Sequence, residues 1–428
     1  MSETRKIAIK ALQDIIENKI FLSEIKEEFG EEKALLNMLL LTSLRHYVFF
    51  KKTLKNYVKK KIPEKSAIAE YALILAMTEI LYLKTPEYAT INSYVEIVKK
   101  QTDKFLGGFI NAVLRKICAD KEEILSLYKG EFFSRDFIDI LKQDYSREEI
   151  SKIEKASTSE TLLDLTAKGD PKVLAEKLGG TLLPNGTIRL ASKGNISQLD
   201  GYEAGEWWVQ DVAASLAALT IGNIEGKRVL DLCSAPGGKA AQLINKGGKI
   251  TCLDVADNRI GVLEENLTRL QMEANEIICT DGIKFLAKYE GEKFDAILLD
   301  APCSATGIIR RHPETALIKD INDLKAQEKL QRAFLRHISK ALKKDGILVY
   351  CTCSISKFEG EKQINSFLKE NKNFKIVPIK EKEINIYDNE GKLKNLITKE
   401  RFIRTLPYHL EELGGMDSFF IAKLQKVD

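Results

Sequence analysis

The sequence predicts a multidomain protein in which an all-helical bundle precedes a small α/β module and a Rossmann-like α/β domain. In the first 128 residues, apolar side chains recur at helical spacing with hardly a strand signal. Residues 205–428 instead alternate short apolar runs with helical stretches, which is typical of a parallel sheet. The run Arg228–Leu232 leads into a Pro-Gly-Gly turn and a helix, as at the opening of a nucleotide-type site.

Five amphipathic stretches are expected to form the N-terminal bundle, residues 1–128. Their apolar stripes are wide enough for mutual packing, so most of their leucines are predicted core residues. The stretches are Ile7–Ile16, Leu35–Leu44, Ile68–Leu83, Ile91–Lys100 and Leu106–Ile117.

Lysines interleaved with aromatic residues lie between the helices of this predicted bundle. Two interpretations stand side by side, a solvated charged face and a surface that faces RNA. On the second, Lys51, Lys52 and Lys55 are candidate RNA contacts. The whole cluster comprises Arg45, Lys51, Lys52, Lys55, Lys59, Lys60, Lys61 and Lys65 with Tyr47, Phe49, Phe50 and Tyr57.

Residues 129–204 are predicted to hold a connecting helix, up to about residue 150, and then a small α/β module packed on the catalytic domain. Leu162–Thr166, Thr181–Pro184 and Ile188–Leu190 are strand-like. Lys172–Leu178 is helical, and glycines punctuate these elements.

Successive apolar runs after residue 227 end in acids or cysteines. Because ligands bind at the carboxyl ends of parallel strands, these residues predict one site. Asp254 is suited to a ribose diol and Asp281 to an adenine amino group. A helix cap or turn is the simpler interpretation of any one such Asp, but residues in register at five strand ends favour a ligand site. The predicted cofactor contacts are Cys233, Ser234, Ala235, Pro236, Gly237, Gly238, Lys239, Asp254, Asp281 and Asp300.

Three motifs resemble those of the RNA (cytosine-5) methyltransferases of the Sun/Nop type. They are Asp231-x-Cys-x-Ala-Pro-Gly-Gly-Lys239, Asp300-Ala-Pro-Cys-Ser304 and Thr352-Cys-Ser354. The resemblance covers roughly Gly205 to the end and implies S-adenosyl-L-methionine as cofactor. The departures, none of which removes a reactive group, are Ser234 for Ala, Ala240 for Thr, the extra thiol of Cys351, Gly360 for Asn and Ser418 for Gly.

The same resemblance implies roles for two cysteines. Cytosine C5 is too weak a nucleophile to take a methyl group until a thiolate adds at C6, so the chemistry needs a cysteine, an acid near N3 and N4, and a base. Cys353 occupies the position of the nucleophile and Cys303 that of its partner in product release. Asp300 and Lys239 are the remaining candidate catalytic groups.

The N-terminal part resembles the all-helical, RNA-binding NusB family. Glu79–Tyr82, Ile91–Lys99 and Lys104–Arg115 carry this likeness. Its fusion to a Sun-type domain is the arrangement of bacterial small-subunit rRNA cytosine-5 methyltransferases, which implies 16S ribosomal RNA as partner. Arg310, Arg311 and His312, which follow the Cys303 segment, are further candidate RNA contacts.

The composition of the 428-residue chain indicates a soluble, cytoplasmic protein that we expect to be a monomer. No apolar run reaches the length of a membrane span. The seven cysteines, an odd number scattered through apolar runs, predict reduced thiols. With four histidines, a metal site has little support. A net charge of +4 leaves RNA binding to local patches.

Two other functions stay open at this point. A non-catalytic RNA-binding factor would explain the N-terminal domain, but it has no need for Cys303 and Cys353 at adjacent strand ends. A cytosine-5 methyltransferase acting on another RNA or on DNA would share the thiol addition. DNA enzymes normally place the nucleophile in the Pro-Cys segment and lack the Thr-Cys-Ser one.

Overall fold

The computed structural model describes residues 2–25, 32–59, 62–63, 66–102, 104–191, 194–388 and 390–428. The chain forms two compact units. The first comprises Met1–Ser159 with Ile309–Asp320, and the second Glu160–Ile308 with Ile321–Asp428. Each unit is therefore built from two separate stretches of sequence. The domain boundaries expected at residues 128 and 204 stay a prediction.

Helices make up the first unit, as the apolar spacing of the N-terminal sequence predicts. They are α1 (Ser2–Asn18), α2 (Lys33–Tyr57), α3 (Ile68–Leu81), α4 (Glu87–Gln101), α5 (Lys104–Ala119), α6 (Lys121–Ser126), α7 (Arg135–Leu141) and α8 (Arg147–Ser157). The central helix is α3, which contacts α1, α2, α4 and α5. It is buried on nearly every side, as expected of a helix that is apolar all round.

One charged cluster is buried in this bundle. Glu79 of α3 accepts hydrogen bonds from Arg5 Nε and Nη2 at 2.8 and 2.6 Å, and from the Tyr94 hydroxyl at 2.8 Å. A buried carboxylate is tolerated when it is paired and hydrogen-bonded in this way. The cluster ties α1, α3 and α4 together.

The connecting helix predicted between residues 129 and 150 is wrong in form, because this stretch contains α7 and the beginning of a separate helix, α8. Two serines start these helices. Ser134 accepts from the Phe137 N–H, and Ser146 forms a capping box with Glu149. Such N-caps begin new helices, so the chain turns here rather than running straight.

The small α/β module is present in the second unit. Its elements are β1 (Leu163–Ala167), α9 (Pro171–Leu178), β2 (Thr181–Leu182), β3 (Ile188–Leu190) and β4 (Trp207–Val209). The strands pair antiparallel in the order β2-β3-β1-β4. Asp164 of β1 accepts two hydrogen bonds of 2.7 Å from Arg189 of β3 and one from the Val212 N–H. Arg189 also donates to two carbonyl oxygens near the C-terminus, those of Leu413 and Gly415.

The second unit continues as an alternation of strands and helices. The elements are α10 (Val212–Thr220), β5 (Arg228–Leu232), α11 (Gly238–Asn245), β6 (Lys249–Asp254), α12 (Asp257–Arg269), β7 (Glu276–Cys279), α13 (Gly282–Ala287) and β8 (Phe294–Asp300). After α14 (Thr315–Ile318), which belongs to the first unit, come α15 (Ile321–Ala341), β9 (Leu342–Thr352), α16 (Glu361–Glu370), β10 (Phe374–Ile376), α17 (Glu381–Ile384), β11 (Ile403–Arg404) and β12 (Phe420–Lys426).

The large sheet has the order β10-β12-β9-β8-β5-β6-β7, with β11 paired to β12. From β9 to β7 the pairing is parallel, and β12 runs antiparallel to β9, β10 and β11. The predicted fold class, a helical bundle followed by a Rossmann-like domain, is confirmed. All carboxyl ends of β5, β6, β7, β8 and β9 consequently lie at one edge.

The segment Ile309–Asp320 interrupts the second unit in sequence but packs in the first unit. Ile318 belongs to the apolar core of the helical unit. The Ala316 carbonyl accepts from the Ser134 N–H at 3.1 Å, and Glu314 accepts from the Leu22 N–H at 3.2 Å. The helical unit is therefore completed by residues that follow Cys303 in sequence. None of the helices in the described ranges is long and apolar enough to span a membrane.

The buried Asp164–Arg189 pair generates a stability prediction. Asp164→Ala leaves Arg189 without its carboxylate and should cost about 3–5 kcal/mol of unfolding free energy in the second unit. Urea unfolding followed by tryptophan fluorescence measures this, because Trp207 and Trp208 lie in that unit. As the control, Asp200→Ala removes an exposed partner of Lys177 and should cost under about 1 kcal/mol. Equal losses in the two variants would show that the buried pair adds nothing special.

Candidate active site

The Pro-Gly-Gly loop joins β5 to α11 and has a backbone that its sequence requires. Gly237 has φ +104°, a conformation that L side chains rarely adopt. A Cβ atom there would also lie 2.6 Å from Leu263 Cδ1. Cys233, at the start of the loop, has φ +61°. The loop thus turns sharply after the end of β5, with Pro236 exposed and Gly237 buried against Leu263.

Asp254, at the end of β6, holds this loop in place. Its carboxylate accepts from the Ala235 N–H at 3.1 Å and from the Val255 N–H at 2.8 Å. Arg259 lies 3.3 Å from the same carboxylate and donates to the Ala235 carbonyl at 2.7 Å. Asp254 is therefore an anchor of the loop as well as the acid predicted to meet a ligand.

Asp231, near the end of β5, is a buried acid in an unusual state. Its Oδ2 accepts from the Ser234 hydroxyl at 2.6 Å, while no hydrogen-bond partner in the described structure reaches its Oδ1. Burial raises the pKa of Asp231 to about 7. Near neutral pH, this carboxyl group is therefore protonated in a fraction of the molecules.

The structure places Asp281 as the N-cap of α13, the simpler alternative that the sequence left open. Its Oδ1 accepts from the Ile283 and Lys284 N–H groups at 2.9 and 3.0 Å.

A residue that the sequence argument missed lies directly after β6, where Val255 is 64% exposed. A single exposed valine is ordinary on a protein surface, so it carries no signal of a ligand in sequence.

Lys239 and Asp300 form an ion pair between α11 and the end of β8. Lys239 Nζ lies 2.6 Å from Asp300 Oδ2 and 5.0 Å from the centre of the Phe419 ring. Burial alone lowers the pKa of Lys239, but the Asp300 charge outweighs it and the net pKa lies above the ordinary value. The lysine is therefore a fixed cation. The Cys351 and Cys353 sulfurs contribute to the same upward shift.

Two loops bring two cysteines together at the ends of β8 and β9. The Cys303 loop consists of residues 301–308, and the Cys353 loop of residues 353–356. Their Sγ atoms are 3.2 Å apart, and both side chains are partly exposed. The hydrogen bond to Cys353 and burial hold the pKa of Cys303 well above its usual range. At neutral pH Cys303 therefore keeps its proton and can donate it toward the Cys353 sulfur.

The other thiols fall outside this pair. Cys351 is fully buried, with its Sγ 3.5 Å from Asp300 Oδ1, and burial raises its pKa well above the usual range. Cys233 is partly buried and Cys252 is fully buried, while Cys279 is exposed. Cys118 lies in the helical unit.

A buried acid, Glu359, lies behind the two cysteine loops and was missed in the sequence. It ends a short 3₁₀ turn, Lys357–Glu359, and is fully buried. A charged residue in a turn is ordinarily read as solvated, so nothing in its sequence context pointed inward. Its neighbour Gly360, one of the departures from the Sun/Nop pattern, has no room for a side chain. A Cβ atom there would lie 2.3 Å from Arg404 Nη2.

The candidate RNA residues are not brought into one cluster. Lys51 is paired with Glu70, Lys52 with Glu131 at 2.9 Å, and Lys55 is exposed. Such pairing supports a solvated, salt-bridged face for Lys51 and Lys52. Lys60, Lys61 and Lys65 lie outside the described residues.

The basic triplet after the Cys303 loop is split between interior and surface. Arg310 is 2% exposed, and its carbonyl accepts from Arg45 Nη2 at 3.2 Å. His312 is partly exposed, with its ring edge toward Phe21 and its Nδ1 3.2 Å from Glu314 Oε1. Arg311 is partly exposed. In the described parts of the chain, no group of three His, Cys, Asp or Glu side chains could hold a metal ion.

Comparison with family models matches both parts of the chain. Residues 218–425 match the model described as 16S rRNA methyltransferase RsmB/F. Residues 2–119 match the NusB family. The two matches follow the order of the motifs, with a helical module first and an S-adenosylmethionine-dependent methyltransferase domain after it.

Relatives of known name cover most of the chain. Ribosomal RNA small subunit methyltransferase B of Vibrio cholerae is 31% identical over 335 residues, which are 74% of this chain and 77% of the relative. The probable enzyme of the same name from Bacillus subtilis is 28% identical over 99% of both chains. The structure of NSun6 from Pyrococcus horikoshii with SFG, an analogue of S-adenosylmethionine, shares the fold with a TM-score of 0.56 at 21% identity. It covers 70% of this chain and 99% of that one.

The raised pKa of Asp231 predicts a pH dependence of stability. Between its ordinary pKa of 3.8 and about 7, the folded protein binds more protons at this carboxyl than the unfolded chain does. Stability from this group therefore falls as the pH rises through that window. In urea unfolding followed by tryptophan fluorescence between pH 5 and 8, Asp231→Asn should become progressively more stable relative to the unmodified protein as the pH rises.

The matched control is Asp295→Asn, at the other end of the sheet. Burial raises the pKa of Asp295, but the hydrogen bonds from Lys343 and the Arg228 N–H outweigh it, and the net pKa lies below 3.8. Asp295 therefore stays ionised in both states above pH 5, and its removal should have the same effect at every pH tested. A flat difference for Asp231→Asn as well would contradict the assignment.

Proposed function

Because the chain belongs to the family of ribosomal RNA small subunit methyltransferases B, we propose that it methylates C5 of a cytosine in 16S rRNA through a covalent adduct with Cys353. The family establishes an S-adenosylmethionine-dependent 16S rRNA methyltransferase. The C5 position and the covalent step rest on one observation of the structure. Two sulfurs lie 3.2 Å apart at adjacent strand ends, beside a partly buried lysine–carboxylate pair.

The residues at the edge of the sheet fit S-adenosylmethionine. Its hydroxyl and ammonium groups are donors, and the site offers the carboxylates of Asp231, Asp254 and Asp300. Gly237 keeps the loop in its turn, because its φ of +104° and its contact with Leu263 exclude a side chain there. Val255 offers an apolar surface beside Asp254. The predicted contacts, from Cys233 to Lys239 with Asp254, Asp281 and Asp300, are our proposal for the cofactor site.

The bound cofactor supplies an electrophilic methyl group. Before the transfer, the Cys353 thiolate forms a bond to C6 of the base, and the electrons of the C5–C6 double bond move onto the ring, so that C5 becomes nucleophilic. The Cys353 thiol first loses its proton to solvent, and Cys303 stabilises the resulting thiolate because its protonated thiol faces the Cys353 sulfur and can donate to it. Lys239 is a fixed cation nearby that opposes the negative charge developing on the ring.

Release of the product needs a base. After methylation, C5 loses its proton, the pair of electrons from the C–H bond restores the double bond, and the C6–sulfur bond breaks to return the Cys353 thiolate. We assign the proton acceptor to Cys303, which gives its own proton to the departing Cys353 thiolate, 3.2 Å away, as it takes the proton from C5. A thiolate with a raised pKa is the stronger base for this step.

The helical unit is proposed to help select the RNA. Its match to the NusB family covers residues 2–119, and among its candidate contacts Lys55, Arg311 and His312 are at least partly exposed. A target base inside a duplex would have to be flipped out at a cost of about a few kcal/mol, so an unpaired cytosine is expected. We propose that the chain acts as a monomer in the cytoplasm.

The cysteine roles predict opposite behaviour of two variants. Cys353→Ala should abolish methylation but retain cofactor binding, because the nucleophile is lost and the sheet edge is not. Cys303→Ala should attack and methylate, then stall with the RNA attached. A denaturing gel should show a slow-migrating protein–RNA band for Cys303→Ala and none for Cys353→Ala or the double variant.

Cys279→Ala, which removes an exposed thiol of the same unit outside the proposed pair, is the control and should turn over normally. A band from Cys353→Ala, with none from Cys303→Ala, would reverse the two roles. Transfer of labelled methyl groups to RNA, to DNA and without nucleic acid tests the substrate class. Transfer to DNA alone, or none at all, would overturn the proposed function.

Asp254 is expected to bind the ribose diol of the cofactor. Because its carboxylate also anchors the loop, the test compares ligands rather than variants alone. Calorimetry with S-adenosylhomocysteine and its 2′-deoxy analogue should show a loss of about 1–3 kcal/mol for the analogue on the unmodified protein. On Asp254→Ala the two ligands should bind almost equally. An unchanged preference in the variant would exclude Asp254 as the diol acceptor.

A further inference from the structure

We propose that Glu359 is a positioning residue that holds the two cysteine loops at the spacing needed for the reaction. The proposal deepens the proposed function, since the roles of Cys303 and Cys353 belong to that function. It adds a residue that lies outside every motif by which the site was found. The hydrogen bonds of Glu359 do not depend on the covalent mechanism, so the positioning role and the cysteine roles can be tested separately.

The Glu359 carboxylate receives hydrogen bonds from both loops. Its Oε1 accepts from the Ser304 N–H at 2.8 Å and from Gln331 Nε2 at 3.0 Å. Its Oε2 accepts from the Ser304 and Ser354 hydroxyls, each at 2.5 Å. Ser304 and Ser354 directly follow the two cysteines in sequence. One side chain thus contacts the neighbour of each reactive sulfur.

Glu359 is itself held firmly against the sheet. Its backbone carbonyl accepts from the Tyr350 hydroxyl at 2.9 Å and, more weakly, from Thr352 Oγ1 at 3.4 Å. Gln331 of α15, which donates to the carboxylate, also donates to the Pro302 carbonyl at 2.9 Å. The carboxylate is therefore fixed from β9, and the Cys303 loop is fixed on both sides of Cys303.

The cost of burying this acid argues that the position matters. Burial raises the pKa of Glu359, and the donors from Ser304, Ser354 and Gln331 oppose that shift. The Ser304 N–H is a donor that cannot turn round to accept. An apolar replacement would leave it buried without an acceptor, which is costly, whereas Gln331 would keep its bond to the Pro302 carbonyl. A charge is thus retained where a hydrophobic side chain would pack more cheaply, and its contacts converge on the two loops.

A second link, through backbone, accompanies this one. The Gly307 N–H donates to the Cys353 carbonyl at 2.9 Å, and a Cβ atom on Gly307 would lie 2.7 Å from that oxygen. The two loops are thus joined through Glu359 and, at the far end of the Cys303 loop, through Gly307. They also meet directly, because Thr306 Oγ1 lies 3.1 Å from Ser354 Oγ and accepts from the Ile355 N–H at 3.3 Å. Loss of the first link should let the sulfurs separate without unfolding the sheet.

An arsenical measures the spacing of the sulfurs without RNA or cofactor. Phenylarsine oxide condenses with two nearby thiols, forming two arsenic–sulfur bonds and releasing one water. In the full-length protein it should bind tightly, and Cys303→Ala and Cys353→Ala should each weaken binding. Glu359→Ala should weaken it about tenfold or more, because the second thiol is no longer held beside the first.

Glu359→Gln is the conservative variant that distinguishes positioning from charge. Its amide oxygen can take the two N–H donors, while its NH₂ group faces two hydroxyls that can turn to accept. It should therefore bind the arsenical within about twofold of the unmodified protein. Asp295→Asn, which alters a carboxylate that also joins a backbone N–H to a side chain, is the matched control and should bind normally.

Methylation gives the second readout. The single-turnover rate should fall about 10²-fold in Glu359→Ala, with unchanged cofactor affinity and partial recovery in Glu359→Gln. Normal arsenical binding and rate in Glu359→Ala would overturn the proposal. So would a loss that Glu359→Gln does not relieve and that parallels a lowered melting temperature, since the role would then be general stability.

Failure of the proposed function has a different signature. If Cys303→Ala traps no RNA while Glu359→Ala still loses the arsenical, the covalent roles fall and the positioning role stands. If Cys303→Ala traps RNA as expected while Glu359→Ala binds the arsenical normally, the positioning role falls and the covalent mechanism stands.

Discussion

The parallel pairing of β8 with β9 is the constraint on which the rest of the site depends. In its register, Asp300 lies beside Cys351, the last pair before each strand ends. Two parallel strands that end together must release their loops on the same side of the sheet. Cys303 and Cys353 are far apart in sequence. The sheet brings them together by pairing residues 51 positions apart along the chain, such as Asp300 and Cys351.

Around that edge, the protein manages charge by pairing rather than by exposure. Lys239 is paired with Asp300, and Glu359 is surrounded by hydrogen-bond donors. Asp231 has a pKa near neutrality, so it carries its charge only part of the time. These arrangements keep polar groups fixed in a partly dry site, where their fields are stronger than in water. A substrate base therefore meets groups whose orientation is already determined, which is the condition for electrostatic stabilisation of a developing charge.

Much of this arrangement could be predicted from sequence where the signal is local. The bounds of β5 follow from an apolar run, Arg228–Leu232, closed by a turn, and the structure has the same limits. Signals that compete locally were harder to separate, since the carboxylate of Asp281 suits a helix cap as well as a ligand. Contacts made at long range left no pattern at all. Glu359 and the return of Ile309–Asp320 to the helical unit depend on which distant residues they meet.

The two-stretch construction of the helical unit has a consequence for the order in which the protein can fold as it is made. During synthesis, about 5–20 residues are added per second. The strands β5 to β8 are synthesised before Ile309–Asp320. The first helices, which pack with that segment in the first unit, are synthesised earlier still. The amino-terminal part of the first unit must therefore remain without the core contacts of Ile318 while most of the second unit is translated. Domains usually complete their folding in the order in which they are synthesised, but the first unit of this chain cannot be completed before most of the second has been made.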